Sequence, residues 1–364
     1  MAAMPLEFAE RIRRIPAYPA AGGYALPDDV ALLASNESPD PPIPPVQEAI
    51  SRAIGRLNRY PDPANGPLRA ALSNRYGVPA NRIAIGNGSC DILLAAGEAL
   101  LEPGAELVYA WPSFSVYPHL AAASGARAIT VPLNGKDEHD LDAMAAEITA
   151  ATRLVIVCNP NNPTSTALPL DAIAAFAERV PRHVAFILDE AYCEFNLLED
   201  PDASLELLNR FPNLVLLRTF SKAYGLAGLR CGYALAGSES FVQAVNQVRQ
   251  PFFCNALAQA AATEALKHGD AVAERVERAV VARLTIAEGA ERLGVHVADS
   301  QANFAWLTLP DPELEAGVLA GLTERGILVR AGGALGKPGA MRVTYGTPAE
   351  NDRFLTALAE LLPR

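Results

Sequence analysis

The sequence lacks several features, and each absence argues against a class of protein. No window holds the roughly 18 or more uninterrupted apolar residues of a membrane-spanning helix. The five cysteines are scattered, with no CxxC pair and no histidine cluster, which argues against a structural zinc site and favours reduced thiols in a cytoplasmic protein. The net charge is −11 and no run of lysines and arginines stands out, so a nucleic-acid partner is not expected.

The first residues also lack the apolar core of a secretory signal, because acidic residues and arginines are mixed through residues 1–19. Prolines and glycines between Pro16 and Pro27 disfavour regular structure. We therefore predict an N-terminal arm over residues 1–34 that wraps its own body or a partner subunit. At 364 residues the chain is too long for one ordinary core. We predict a large domain over residues 35–245 and a smaller C-terminal domain over residues 246–364.

Short apolar runs and helical segments alternate through the first two thirds of the chain. The runs expected to be strands lie at residues 83–85, 106–110, 128–133, 154–158, 184–188, 214–217 and 232–236. This alternation is typical of an α/β fold with a mostly parallel, doubly wound sheet. Beyond residue 236, alanine-rich helices precede further strands and helices, which indicates a smaller α+β domain. Its last helix should begin with a capping box formed by Thr347 and Glu350.

Polar or aromatic side chains follow the ends of four of these strands. Phe114 follows one strand, Asn162 another, Asp189 and Tyr192 a third, and Lys222 the fourth. Because the carboxyl ends of parallel strands meet at one edge of a sheet, these side chains are expected to share one cleft.

The segment around Lys222 combines an amine with groups that suit a phosphate. Ser221 and Arg230 flank the lysine, and Ser89 and Cys90 follow the glycines that open a helix, where backbone N–H groups form an anion site. An amine beside a phosphate cradle is what a pyridoxal 5′-phosphate enzyme needs, since the cofactor is held by its phosphate and by a Schiff base. The sequence therefore predicts this cofactor.

The other strand-end residues have roles beside a pyridoxal ring. Asp189 emerges from a strongly hydrophobic strand, where an unpaired carboxylate is costly, and a protonated pyridine nitrogen is a suitable partner. Tyr192 and Asn162 could bind the ring oxygen, and Phe114 could stack on the ring. Each of these residues alone would more often be structural, but their combination with Lys222 favours a functional site.

The assembled motifs extend over almost the whole chain. They are LLASNESP, RYPDP, GNGSCD, WPSFSVYP, CNPNNPT, LDEAY, RTFSKAYGLAGLRCGY and MRVTYGT. With these motifs the chain resembles the fold-type I pyridoxal phosphate aminotransferases, and among them the histidinol-phosphate aminotransferases. The resemblance implies a homodimer that moves an amino group between L-histidinol phosphate and 2-oxoglutarate, a step of histidine biosynthesis.

The resemblance also implies a role for each matching residue. Lys222 would carry the cofactor and move the proton, and Asp189 and Tyr192 would complete the catalytic set. The cofactor phosphate would be bound by Ser89, Cys90, Ser221 and Arg230, with Tyr60 reaching in from the other subunit. The substrate would be bound by Tyr18, Asn162, Arg330 and Arg342.

Three positions depart from the pattern of the family. Phe114 stands where many relatives have tyrosine, so stacking is kept and a hydroxyl is lost. Ser165 stands where glycine is usual, which puts the turn after Asn162 in doubt. Cys90 replaces a more common acidic residue, although its backbone N–H could still bind a phosphate.

Other functions remain open at this point. Arg330 and Arg342 could bind a carboxylate, as in an aromatic amino-acid aminotransferase. A threonine-phosphate decarboxylase would share the phosphate cradles. A non-catalytic, ligand-sensing relative is a third alternative, and retention of Lys222, Asp189 and Arg230 argues against it.

Overall fold

The structure is a computed structural model that describes residues 12–13, 15 and 29–363. Most of the predicted arm, including Tyr18, lies outside these residues. None of the helices in the described part of the chain is both long enough and apolar enough to cross a membrane.

Thirteen strands are present in the described residues. In chain order they are β1 Ala31–Leu32, β2 Ile83–Gly86, β3 Glu106–Trp111, β4 Arg127–Pro132, β5 Thr152–Cys158, β6 Ala185–Asp189, β7 Leu214–Thr219, β8 Gly232–Ala236, β9 His296–Val297, β10 Phe304–Thr308, β11 Ile327–Leu328, β12 Arg330–Ala331 and β13 Ala340–Thr344.

Twelve α-helices accompany these strands in the same residues. They are α1 Pro44–Ile54, α2 Gly66–Tyr76, α3 Ser89–Leu100, α4 Tyr117–Ser124, α5 Leu141–Ala146, α6 Leu170–Arg179, α7 Leu207–Arg210, α8 Glu239–Val248, α9 Ala256–Ala265, α10 Gly269–Arg292, α11 Leu314–Glu324 and α12 Pro348–Leu361. The predicted capping box is confirmed, because the Thr347 side chain accepts from the Glu350 amide while Glu350 accepts from the Thr347 amide.

A seven-stranded sheet in the order β2-β8-β7-β6-β5-β3-β4 forms the centre of the molecule. β8 alone runs in the direction opposite to the other six strands of this sheet. One face packs on α3, α4 and α8, and the other on a second layer that includes α1, α6 and α9. Strand β7 is buried along its whole length and β5 at every position except Arg153, as expected for a sheet covered on both sides. The predicted mostly parallel, doubly wound α/β sheet is confirmed.

A second core lies around the four-stranded sheet β12-β13-β10-β9, which packs on α10, α11 and α12. Strand β1 pairs with β11, so the end of the predicted arm joins this smaller core. Helix α9 packs on α1 and contributes Ala258, Ala261 and Ala262 to the core of the large sheet, although it follows the boundary predicted at residue 245. The change from one core to the other falls at α10.

Candidate active site

A cavity of about 430 Å³ opens at the carboxyl ends of β5, β6 and β7. It is lined by side chains of both cores, and the structure brings together there most of the predicted site residues: Ser89, Cys90, Phe114, Asn162, Asp189, Tyr192, Ser221, Lys222, Arg230, Arg330 and Arg342. The parallel register of these strands explains the convergence, since their last residues end at the same edge.

The Lys222 amine is held at the floor of this cavity by backbone carbonyls. Its Nζ donates to the oxygens of Ser35 at 3.1 Å and Asn36 at 3.0 Å. Burial lowers the pKa of Lys222 to about 8, and the positive charge of Arg342 acts in the same direction. A larger fraction of neutral amine is therefore present near neutral pH than for an ordinary lysine, which favours nucleophilic attack on a carbonyl carbon.

The Asp189 carboxylate lies at the end of β6 and is 2% exposed. Burial raises its pKa to about 6, although the Tyr117 hydroxyl donates to Oδ2 at 2.8 Å and the Ala191 amide donates to Oδ1. Two neutral donors only partly replace the lost hydration. A cationic group in the cavity could pair with the Asp189 carboxylate and stabilise its charge. A protonated ring nitrogen is such a group.

A phosphate-sized anion site lies at the other end of the cavity. Helix α3 begins at Ser89, after Gly88 with a φ of 78°, so the amides of its first turn have no partner within the helix. The Arg230 guanidinium packs against Gly88, where a Cβ would collide with it. A Cβ on Gly232 would likewise collide with the Ser89 amide. Because the backbone segments approach so closely, the first amides of α3 lie near Arg230. The Ser221 hydroxyl lies on the same side, 3.5 Å from Nη1 of Arg230.

Two side chains can donate to a ring oxygen in the cavity. Asn162 accepts from Nη1 of Arg342 through Oδ1 at 2.5 Å, which leaves its Nδ2 group as the donor. Tyr192 is 4% exposed, and burial raises its pKa well above the usual range, so the hydroxyl remains protonated. Phe114 also lines the cavity. Its ring packs edge to face on that of Tyr117, with the ring centroids 5.7 Å apart.

Arg330 and Arg342 occupy opposite positions on the neighbouring strands β12 and β13. Both line the cavity, and Arg342 is 7% exposed. Its Nη2 donates to the oxygen of Ala34 at 2.6 Å. Two guanidinium groups on one wall of the cavity suit an anionic ligand.

Tyr60 is separated from the cavity within one chain. It is 81% exposed and its ring stacks on Phe252 with the centroids 4.5 Å apart. Its predicted contact with the cofactor phosphate would therefore require a second subunit.

The turn that contains Ser165 keeps a left-handed backbone. Its φ is 60°, a region that glycine adopts more readily than serine. The amide of Ser165 donates to the oxygen of Asn161 at 2.8 Å, and its hydroxyl donates to the oxygen of Thr164. The turn after Asn162 is therefore formed with serine in place of glycine.

Sequence reasoning missed several residues that support the site. Tyr117, which donates to Asp189, lies in the WPSFSVYP motif, and its spacing from the strand end was a usable signal. Asn36 contacts both Lys222 and Tyr192, and the LLASNESP motif was recognised without a role for it. These contacts join segments more than 70 residues apart, so pattern alone did not predict them.

Comparison with known proteins defines the class of this fold and site. Residues 28–358 match the family described as aminotransferase class I and II, and the chain belongs to that family. The solved structure of histidinol-phosphate aminotransferase from Sinorhizobium meliloti in complex with pyridoxal-5′-phosphate is similar, with a TM-score of 0.88, 29% identity and 99% coverage of both chains. The predicted fold-type I architecture and the predicted cofactor are confirmed.

Among curated relatives the names divide between two substrates. The chain is 46% identical to the aromatic amino acid aminotransferase of Thermobifida fusca (strain YX), over 90% of this chain and 89% of the relative. It is 43% identical to histidinol-phosphate aminotransferase 2 of Ralstonia nicotianae, over 92% of this chain and 89% of the relative. The protein is thus a pyridoxal phosphate-dependent aminotransferase.

Substitution of Asp189 tests whether the buried carboxylate destabilises the cofactor-free enzyme. Because its folded-state pKa is raised, the free energy of unfolding of the cofactor-free enzyme falls as the pH rises from about 4 to about 6. Asp189→Asn removes the buried charge, so we expect a gain on the order of 1–3 kcal/mol at pH 7.5 and a clearly smaller gain near pH 4.5. Thermal unfolding of cofactor-free protein at both pH values measures this.

Asp352→Asn, at an exposed position of α12, is the control and should change stability little at either pH. An Asp189→Asn enzyme that is less stable than the parent at pH 7.5 would show that the carboxylate is already satisfied without a cofactor.

Proposed function

We propose that the enzyme transfers the amino group of L-histidinol phosphate to 2-oxoglutarate, giving imidazole-acetol phosphate and L-glutamate, as a cytoplasmic homodimer in histidine biosynthesis. The observation that carries this proposal is the cross-strand pair of Arg330 and Arg342 beside Lys222. Bidentate guanidinium groups suit a doubly charged phosphate.

The cavity has a second cationic end, which we assign to the cofactor phosphate. Ser221, Arg230 and the first-turn amides of Ser89 and Cys90 would bind it, with Tyr60 contributed by the other subunit. Asp189 would face the ring nitrogen, Asn162 and Tyr192 the ring oxygen, and Phe114 a face of the ring. When bound, pyridoxal phosphate supplies the electron sink that makes the substrate Cα–H acidic.

Lys222 would then act twice. Its lowered pKa provides a neutral amine for covalent attachment to the cofactor aldehyde. Once the substrate amine displaces it, the free amine would lie within the same cavity as Arg342, where it could take the Cα proton and return it at the C4′ carbon of the cofactor. Glutamate can occupy the arginine pair through a carboxylate, so one site would serve both half-reactions. Tyr18 would join this substrate site from the arm.

An aromatic amino-acid aminotransferase is the second candidate, because the Thermobifida fusca relative at 46% identity has that name. A benzene ring carries no anion for the outer end of the cavity, so the arginine pair would bind only the α-carboxylate. Relative rates with the two substrate classes separate these candidates.

Reduction with borohydride tests the role of Lys222. The chain has four lysines, and Lys222 is the one that lines the cavity. We expect the purified enzyme to be yellow and the reduced cofactor to be found by mass spectrometry on the peptide that contains Lys222. Lys222→Ala should lose the label, whereas Lys337→Ala, which removes a surface pair with Asp137, should keep it. Label on Lys136, Lys267 or Lys337 would exclude the assignment.

Mixed dimers test whether Tyr60 acts across the interface. A Tyr60→Phe subunit paired with a Lys222→Ala subunit should form one intact site and one doubly defective site. Random mixing would then restore up to about a quarter of the wild-type sites, above either parent.

The matched control pairs wild type with a subunit that carries both substitutions. If Tyr60 crosses the interface, that mixed dimer has no fully intact site. If activity of the first mixture does not exceed either parent while subunit exchange is verified, Tyr60 acts within its own chain.

Arg330→Ala tests substrate choice. A charge-assisted contact contributes roughly 1.5–3 kcal/mol, so we expect kcat/KM for L-histidinol phosphate to fall by about one to two powers of ten. The wild type should prefer this substrate to phenylalanine and tyrosine. Arg325→Ala, on the exposed end of α11 with Glu360, is the control and should leave kcat/KM unchanged. Equal losses for all substrates, or preference of the wild type for phenylalanine, would favour the aromatic aminotransferase.

A further inference from the structure

Asn36 connects the two cores at the edge of the cavity. It is 1% exposed and adopts a left-handed φ of 54°, a conformation that asparagine tolerates better than most residues. Its backbone oxygen accepts from Lys222 of the large sheet and from Asn303 at 3.2 Å. Its side chain lies between Thr344 at the end of β13 and Tyr192 after β6.

The hydrogen bonds of Thr344 fix the direction of the Asn36 amide. The backbone N–H of Asn36 can only donate, and it donates to Oγ1 of Thr344 at 2.9 Å. The hydroxyl hydrogen of Thr344 is then available for Oδ1 of Asn36, at 3.1 Å. Because Oδ1 accepts on this side, the Nδ2 group faces the opposite way, towards Tyr192.

The same logic fixes the hydroxyl of Tyr192. Nδ2 of Asn36 donates to its oxygen at 3.0 Å, so the oxygen acts as the acceptor in that bond. The hydroxyl hydrogen must point elsewhere, and Tyr192 lines the cavity. An amide turned the other way would present Oδ1 and draw the hydrogen of Tyr192 away from the cavity.

We propose that Asn36 and Thr344 are positioning residues that direct the Tyr192 O–H into the cavity, where it donates to the ring oxygen of the cofactor. The inference rests on the role of Tyr192 in the proposed function. It places a small-domain hydroxyl, Thr344, in control of a donor on the large sheet. Neither Asn36 nor Thr344 needs to touch the cofactor for this effect.

The absorbance of the cofactor-loaded enzyme provides a readout other than turnover. A donor to the ring oxygen favours the form of the chromophore in which that oxygen carries most negative charge, which is the deprotonated form. Loss of the donor should therefore raise the pH at which the chromophore titrates. The charged and titratable groups that face Tyr192 are Lys222, Arg342, Asp189 and Cys158, and all remain unchanged in the variants below.

Four variants test the chain of contacts. Tyr192→Phe removes the donor itself and should raise the chromophore pKa by about one unit. Thr344→Val keeps the shape of the side chain without its hydroxyl and should reproduce most of this rise, as should Thr344→Ala if the valine enzyme does not fold. Thr344→Ser retains the hydroxyl and should stay within a few tenths of a unit of the wild type.

A double substitution separates positioning from a general structural effect. In the Tyr192→Phe background, Thr344→Val should cause no further shift, because the donor that it orients is gone. An unchanged chromophore in Thr344→Val, or a shift that persists in full in the Tyr192→Phe background, would overturn the inference while leaving the role of Tyr192 intact. No shift in Tyr192→Phe alone would overturn both.

Discussion

The site depends on two buried groups of opposite charge, Asp189 and Lys222, that do not pair with each other. Asp189 accepts from the neutral donors Tyr117 and Ala191, while Lys222 donates to the carbonyls of Ser35 and Asn36. A direct pair between them would satisfy both groups and leave neither free to react. Burial without such a pair shifts both pKa values towards neutrality. The fold therefore keeps a reactive amine and a carboxylate ready for a cationic partner.

Keeping Asp189 and Lys222 apart needs a rigid support. A second group of buried charges, centred on Arg218, supplies it. Arg218, on β7, is 1% exposed and donates to Glu190 and Asp202, each at 2.8 Å. Glu190 follows Asp189 directly, so this pair joins the ends of β6 and β7 just below the cavity. Removal of one partner would leave an uncompensated buried charge, which is strongly destabilising. Arg218 thus ties the residue next to Asp189 to the strand that leads to Lys222.

The sequence predicted the central sheet well because its signal is local. Buried parallel strands are continuous apolar runs, and the chemistry follows directly at their ends, as at Asp189 and Lys222. Helix α2 was missed, since only Leu68 and Leu72 are buried in it and it begins with Gly66 and Pro67, which also favour a turn. The break between α8 and α9, where Phe252 has a φ of 57°, was also missed. Pro251 lies in this break and is a local signal that the sequence analysis did not use.

Long-range polar contacts could not be predicted from the sequence for a different reason. Asn36 bonds to Tyr192 and Thr344, which lie 156 and 308 positions away, and no periodic pattern encodes such pairs. Successive carbonyls of one segment then bind cations from both cores: Ala34 accepts from Arg342, while Ser35 and Asn36 accept from Lys222. A shift of this segment would move the Lys222 amine and the Arg342 guanidinium together. The short stretch between β1 and α1 therefore links the smaller core to the chemistry at the edge of the large sheet.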